Sequence, residues 1–425
     1  MSKALAFRRL ALVAALAASA GAPAATTAIR VGHLVEPATQ QVTENAVLVV
    51  EDGRVKAIGN DVPAGATVVD LSSRWVVPGM IDAHTHVLLQ GDVTEADYND
   101  QALGESLSFR ALRAARAMRL SLANGFTALR DLGTEGAGFA DVDLKRAVEQ
   151  GIVPGPRLFV ATKALAPTGA YGPNLSWQVE VPKGVQLCDG PDDCRRATRD
   201  QIAHGADWIK VYADRKYFRR PDGSIRSLPN FTAEELAAIV DQAHRTGLRV
   251  AAHSMTPTGH ALALGAGVDT IEHGPVLDDA TIATMVKQGT YWCPTAMTLA
   301  HVAPERGKTN PIWLALRDAE EDSFRRALKA GVKIALGTDA GAFRWDESNQ
   351  AEELAWYVAH GMTTWQALRA ATVVPAELLD RKGELGTLAP GARADLVALA
   401  ADPIADVSAL QHAVFVMKDG VVVKE

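Results

Sequence analysis

A chain of 425 residues is long enough for one large domain or two smaller ones. With 48% hydrophobic and 22% charged residues it has the composition of a globular protein, not a disordered one. The formal net charge of -7 and the absence of any basic block disfavour a nucleic-acid partner.

Residues 1–24 form a separate object. Lys3, Arg8 and Arg9 make a positive start, Leu10 to Ala20 is an unbroken apolar and small run, and Ala22-Pro23-Ala24 supplies a small-residue cleavage site. This is the pattern of a secretory signal peptide and is too short for a stable membrane anchor. It predicts an exported protein, periplasmic or secreted, whose mature form starts near Ala25.

From Thr27 to Pro78 the pattern is short strands and turns, with Glu51-Asp52-Gly53-Arg54 as a hairpin signal. From Gly79 to Ala371 apolar strands alternate with amphipathic helices, as in βα units. The eight strand candidates are Ile81–Val87, Phe126–Asp131, Arg157–Ala161, Trp208–Tyr212, Arg249–His253, Thr270–His273, Thr290–Cys293 and Lys333–Thr338. Helices are expected over Leu103–Asn124, Thr232–Thr246 and Trp313–Ala330, the second with Thr232 and Glu235 as a capping box. Long insertions follow the third strand, Ala164–Asp193, and the fourth, Ala213–Phe231. Beyond Leu385 the β character returns, with a turn at Lys418-Asp419-Gly420. The expected class is α/β: a TIM (β/α)8 barrel over residues 79–371, with a small β-sandwich domain built from both chain ends, 25–78 and 372–425.

Cys188 and Cys194 lie six apart in a Pro/Gly/Asp-rich loop. In an oxidising compartment they can close a small disulfide, with unpaired thiols as the alternative. Cys293 sits in an apolar strand and reads as a core thiol.

Polar residues capable of holding a metal terminate the buried strands, where a barrel carries its catalytic groups. His84 and His86, two apart in Gly79-Met80-Ile81-Asp82-Ala83-His84-Thr85-His86, point to one face of a strand. Lys210 lies in the fourth strand, His253 ends the fifth, His273 the sixth, and Asp339 follows the eighth. His33, His204, His244, His260, His301, His360 and His412 have no such placement.

This series, with Gly-Ala-Asp-Trp-Ile-Lys and Thr-Ile-Glu-His-Gly, resembles the amidohydrolase superfamily over essentially the whole mature chain. It is most similar to the imidazolonepropionase- and prolidase-like branch, which includes Xaa-Pro dipeptidases, carboxypeptidases and ochratoxin-hydrolysing enzymes. The resemblance implies two divalent metal ions, zinc before manganese or cobalt. His84 and His86 would ligate the more buried ion, a carboxylated Lys210 would bridge both, and His253 and His273 would hold the second. Asp339 would ligate and act as the base. It implies hydrolysis of the amide bond of dipeptides or N-acyl amino acids, including ochratoxin A-type amides, by a metal-bridged hydroxide, and catalytic roles for Asp339, Lys210 and His273. The loop Thr168-Gly169-Ala170-Tyr171-Gly172 carries tyrosine where dipeptidase relatives often have histidine, which bears on the substrate and not on the metal site. A carboxylate on the leaving amino acid needs a cation or hydroxyl donors at the pocket mouth. Tyr171, Tyr212, Arg215, Tyr217, Arg219 and Arg220 on the two long loops are the candidates. A cyclic-amide hydrolase or deaminase on the same scaffold is the alternative, although Lys210 argues against the deaminase. A non-catalytic periplasmic metal-binding protein is the remaining reading. The expected partners are a small-molecule or dipeptide substrate and, since relatives often assemble, further copies of the chain.

Overall fold

The structure is a computed structural model that describes residues 26–173 and 178–425. The export signal predicted over residues 1–24 lies outside them. The fold is mixed α/β. No helix among the described residues is long and apolar enough to cross a membrane.

Both chain ends enter one seven-stranded sheet, in the spatial order Val421–Lys424, Ala413–Lys418, Leu396–Leu399, Thr67–Pro78, Thr27–Glu36, Gln41–Glu51 and Arg54–Gly59. Thr67–Pro78 joins the ends, running parallel to Thr27–Glu36 and antiparallel to Leu396–Leu399. The hairpin turn has φ of 51° at Asp52 and 72° at Gly53, the left-handed pair that matches strand twist. The Arg54–Gly59 edge bonds to the segment that leads into Leu396–Leu399. Val55 N donates to Ala392 O at 2.9 Å and Ala394 N to Gly53 O at 2.9 Å. Ile29, Leu48, Val76, Leu396 and Phe415 are thereby buried in one core.

Residues 79–371 supply eight main strands: Met80–Thr85, Phe126–Asp131, Arg157–Val160, Trp208–Tyr212, Arg249–Ser254, Thr270–His273, Tyr291–Cys293 and Lys333–Ile334. Sequential neighbours pair in parallel, except across the third and fourth. There the ladder is replaced by Asp207, whose N–H donates to Val160 O at 2.7 Å and whose carboxylate accepts from Val160 N at 2.9 Å. The eighth strand is two residues long, where the sequence predicts six. Beyond Ile334 the chain is held by single bonds to either side, Ala335 N to Trp292 O at 2.9 Å and Ala83 N to Leu336 O at 2.8 Å. Asp339 N then donates to His84 O at 2.7 Å, so the bonds return to the first strand.

Helices Leu107–Ala123, Ala233–His244 and Ile312–Ala330 cover the strands. The first starts later than predicted because Ser106 caps it, accepting from Phe109 N. Thr232 and Glu235 form the reciprocal capping box. The first insertion contributes two short paired strands, Leu165–Ala166 and Gln186–Leu187. It is pinned by the Cys188–Cys194 disulfide, with Cα atoms 5.0 Å apart. The second insertion is a hairpin, Asp214–Arg219 with Ile225–Pro229.

Candidate metal centre

The Met80–Thr85 strand is fully buried, so the alternation of its side chains is set by packing on both faces. The chain following the eighth strand packs tightly on this segment, and glycine permits it. A Cβ at Gly337 would lie 2.8 Å from His84 Cβ, and one at Gly341, where φ is 115°, 2.3 Å from His86 O.

The ligating atoms of His84, His86 and Asp339 lie within 4.8 Å of one another, all buried. Asp339 Oδ1 is 3.3 Å from His86 Nε2 and 3.5 Å from His84 Nε2. Lys210 Nζ lies 3.4 Å from His84 Nε2. The His273 ring is 4.9 Å from that of His84 and 4.6 Å from that of His253, centroid to centroid. The fold thus gathers His84, His86, Lys210, His253, His273 and Asp339 around one point. His273 and Asp339 take left-handed backbone conformations, φ 68° and 58°, which cost free energy and recur at functional sites.

Each imidazole has one nitrogen engaged behind it. His84 Nδ1 meets Glu272 Oε2 at 2.8 Å, His86 Nδ1 meets Gly133 O at 2.9 Å, and His273 Nδ1 meets Thr295 Oγ1 at 2.7 Å. His253 Nε2 meets Tyr217 Oη at 2.7 Å. Such partners fix ring orientation and tautomer and leave the opposite nitrogen for a ligand. Glu272 is itself held by Arg130 Nη2 at 2.8 Å and by Thr270 Oγ1.

Burial, reinforced by neighbouring positive charge, holds His84, His253 and His273 well below the ordinary imidazole value, so they are neutral. Burial opposes a charge on His86 as well, but its bond to Asp339 outweighs that and lifts it to about 9. Burial would raise Asp339; positive charge at His84, His86 and Lys210 overcomes it and holds the carboxyl at about 2. Burial lowers Lys210, which favours its uncharged amine. Three neutral imidazoles, a carboxylate and a lysine displaced toward neutrality are the protonation states that divalent ions require of their ligands, and His86 must shed its proton to join them.

The Amidohydrolase family matches residues 75–424. The chain belongs to the amidohydrolase family. It is 30% identical over 419 residues to an ochratoxinase of Aspergillus niger, covering 92% of this chain and 84% of that one. It is 28% identical over 386 residues to an imidazolonepropionase of Nocardia farcinica, with 84% and 85% covered. Among solved structures, a Xaa-Pro dipeptidase with bound methionine in its active site superposes with a TM-score of 0.84 at 29% identity, over 94% of this chain and all of that one. The protein is therefore a hydrolase of the amidohydrolase type, a family that is generally dependent on two metal ions.

The metal-type cluster of this amidohydrolase opens into a cavity of about 1250 Å³. Of the residues predicted to meet substrate, Tyr171, Tyr212, Arg215 and Tyr217 line it. Arg219 and Arg220 do not. They sit at the exposed tip of the Asp214–Arg219 hairpin, where Arg219 Nη1 donates to Gly223 O at 3.1 Å and Arg220 N to Ser224 O at 2.8 Å. The strand carries them past the register shift between Arg215 and Phe218 to the exposed turn.

Tyr171 and Tyr212 also behave differently from the expectation. Their hydroxyls donate to Glu135, at 2.7 and 2.9 Å, so neither proton is free for a substrate carboxylate. Burial holds both phenols well above their ordinary value, and they remain donors. Sequence reasoning passed over Glu135, Glu272 and Arg130. Glu272 directly precedes His273, and Glu135 stands between two glycines just past the second strand, Gly133-Thr134-Glu135-Gly136. An acidic residue so close to a buried strand end was the available signal in both cases.

Proposed function

We propose that this amidohydrolase is a binuclear metal-dependent hydrolase that cleaves the amide bond of dipeptides or N-acyl amino acids, ochratoxin A-type amides included. In this reading the eight strands close as a (β/α)8 barrel, the seven-stranded sheet packs on itself as a sandwich, and Lys210 is carboxylated. The observation that carries it is the convergence of four imidazoles, each with one nitrogen tied back, on Lys210 and Asp339 at the floor of a cavity. The similarity to an ochratoxinase and to a Xaa-Pro dipeptidase supports the substrate class.

The donor set fits two divalent ions: His84 and His86 for one, His253 and His273 for the other, with Asp339 and a carbamate on Lys210 completing the site. When bound, such ions polarise a carbonyl and acidify water toward a pKa of about 7, zinc being the first expectation. Asp339, a carboxylate at neutral pH, accepts the proton of the attacking water and passes it to the leaving amine. With His253 Nδ1 kept for an ion, its Nε2–H would donate to Tyr217 Oη, leaving the Tyr217 proton to donate to the substrate carbonyl oxygen as it gains charge. Arg215 stacks over the Tyr171 ring at 5.2 Å and has no ion-pair partner among the described residues. It is the cation positioned for the carboxylate of the leaving amino acid.

The test is metal analysis together with hydrolysis of a panel of dipeptides and N-acyl amino acids. Two ions per chain and cleavage of amides with a free terminal carboxylate are expected. A metal-replete protein inert on the whole panel rejects the reading. Cyclic-amide hydrolysis is the second reading, supported by the similarity to an imidazolonepropionase. We further propose export on the strength of residues 1–24; N-terminal sequencing from the native host should give a chain beginning near Ala25, and an intact Met1 on the functional form rejects it.

A further inference from the structure

Glu135 is a buried carboxylate, 2% exposed, that borders the cavity. Three phenols converge on it: Tyr98 and Tyr171 donate to Oε2 at 2.9 and 2.7 Å, and Tyr212 to Oε1 at 2.9 Å. They arrive from three separate elements, the Glu95–Asn99 helix, the first insertion and the end of the fourth strand. The backbone at Glu135 is itself left-handed, φ 48°, so the chain accepts strain to place this group. His86 Nδ1, 3.9 Å from Oε1, is a cationic neighbour that turns neutral as a metal ligand, and no lysine or arginine pairs with Glu135 among the described residues. The nearby Arg110 donates to its backbone carbonyl instead, at 2.9 Å. Buried carboxylates are ordinarily matched by a positive charge, because desolvating an unpaired one is expensive. Three neutral donors satisfy three of about four acceptor positions and supply no countercharge.

We propose that Glu135 receives the free α-ammonium of the residue on the acyl side of the scissile bond, making unblocked dipeptides the preferred substrate over N-acyl amino acids. The inference rests on the amide-hydrolase reading and narrows it. The position suits the task. Glu135 Oε1 is 3.9 Å from His86 Nδ1, on the wall behind the first histidine pair. In a dipeptide the α-nitrogen is about 2.5 Å from the scissile carbon, two bonds away. One hydrogen bond of about 2.8 Å then reaches a carboxylate on that wall. The tyrosines keep the carboxylate aimed and leave the remaining acceptor position to the ammonium. Arg215, stacked on the far face of this tyrosine cluster over the Tyr171 ring, takes the carboxylate end of the same dipeptide.

The experiment uses the metal-loaded enzyme and two ligands that differ only in the ammonium, alaninamide and propionamide, titrated by calorimetry. Beside it, kcat/KM is measured for a dipeptide and its N-acetyl form. Wild type should favour the free amine at least tenfold in both assays. Glu135→Gln should cut both preferences below threefold while leaving bound metal and propionamide affinity within threefold of wild type. A preference that survives Glu135→Gln assigns it to direct amine–metal contact and overturns the proposal, as does the absence of any preference in wild type or an equal loss on both members of each pair. Should Glu135→Gln not fold or load metal, Glu135→Asp keeps the charge and withdraws it by one methylene; an undiminished tenfold preference there overturns the proposal too. Absence of turnover on all peptides would count against the amide-hydrolase reading alone, because the calorimetric pair still decides the ammonium site.

Discussion

The floor of the cavity and its hairpin wall use polar groups in opposite ways. On the floor, His84, Glu272, Arg130 and Thr270 form a chain of bonds between fully buried groups, each holding the next. On the wall, Arg215 and Lys216 border the same cavity with no ion-pair partner among the described residues. A group already engaged cannot bend toward a ligand, but it can hold a ligand atom still; an unengaged cation can adapt to what enters. The contrast predicts that the floor governs the reaction and the wall the choice of substrate. Substitutions on the floor should damage turnover of every substrate, and those on the wall only of some.

The largest expected effect tests the floor at Lys210. An ammonium ~3 Å from a dication, at an effective dielectric of ~20, meets roughly 10 kcal/mol of repulsion, so lysine serves there only as an uncharged amine or a carbamate. Burial already moves Lys210 toward the amine, the form that reacts with CO2. Lys210→Ala should lose most bound metal and at least about 10³-fold in kcat/KM, roughly 4 kcal/mol. Acetate or propionate in the buffer should restore part of both. Near-normal turnover with two bound ions and no added acid would remove the bridging role.

Next is the support behind the ligand. Glu272→Gln keeps the shape but weakens the grip on His84 Nδ1 and leaves Arg130 short of its buried partner. Metal affinity, read by competition with a chromophoric chelator, should fall about 10–100-fold. Unchanged affinity would mean that the His84 ring is held by packing alone.

The disulfide probes the insertion beside the wall, since it pins the segment whose Tyr171 ring Arg215 stacks on. Closing so short a loop should stabilise the chain by about 2 kcal/mol. Thermal melts of Cys188→Ser, or of wild type with reductant, should show that loss, and mass spectrometry of the unreduced protein should show the peptide two hydrogens lighter. Two alkylatable thiols in this peptide would dismiss the bond.

The smallest effect belongs to the wall itself. Arg215→Met should lower kcat/KM at least tenfold, about 1.4 kcal/mol, on substrates with a free C-terminal carboxylate and leave their amidated forms unchanged. Equal losses on acid and amide would place Arg215 with the floor.

Much of the floor was legible from local pattern. Side chains two apart share a face in any strand, so His84 and His86 point together whatever surrounds them. Polar residues that end apolar runs, His253, His273 and Asp339, can only sit where buried strands meet an opening. The wall was less legible. Arg215 and Arg219 differ by four positions on one hairpin strand, yet one borders the cavity and the other lies at the exposed tip. The bulge between Arg215 and Phe218 shifts the register, and no composition signal marks it. Tyr171 and Tyr212 border the cavity with their hydroxyls bonded to Glu135, a partner 36 and 77 positions away that no local pattern announces.

What the sequence alone determined is whatever depends on near neighbours along the chain: the paired histidines, the capping box at Thr232 and Glu235, the left-handed turn at Asp52-Gly53, and the order of residues at the strand ends. Tertiary structure alone decided the company each of these keeps. Glu272 stands 188 positions from the His84 nitrogen it holds, and Tyr98, Tyr171 and Tyr212 reach one carboxylate from three separate elements. The reason is physical. Backbone periodicity fixes the direction of a side chain over a few residues, whereas a hydrogen-bond partner is chosen by which strands and loops pack together, and that choice belongs to the whole chain at once.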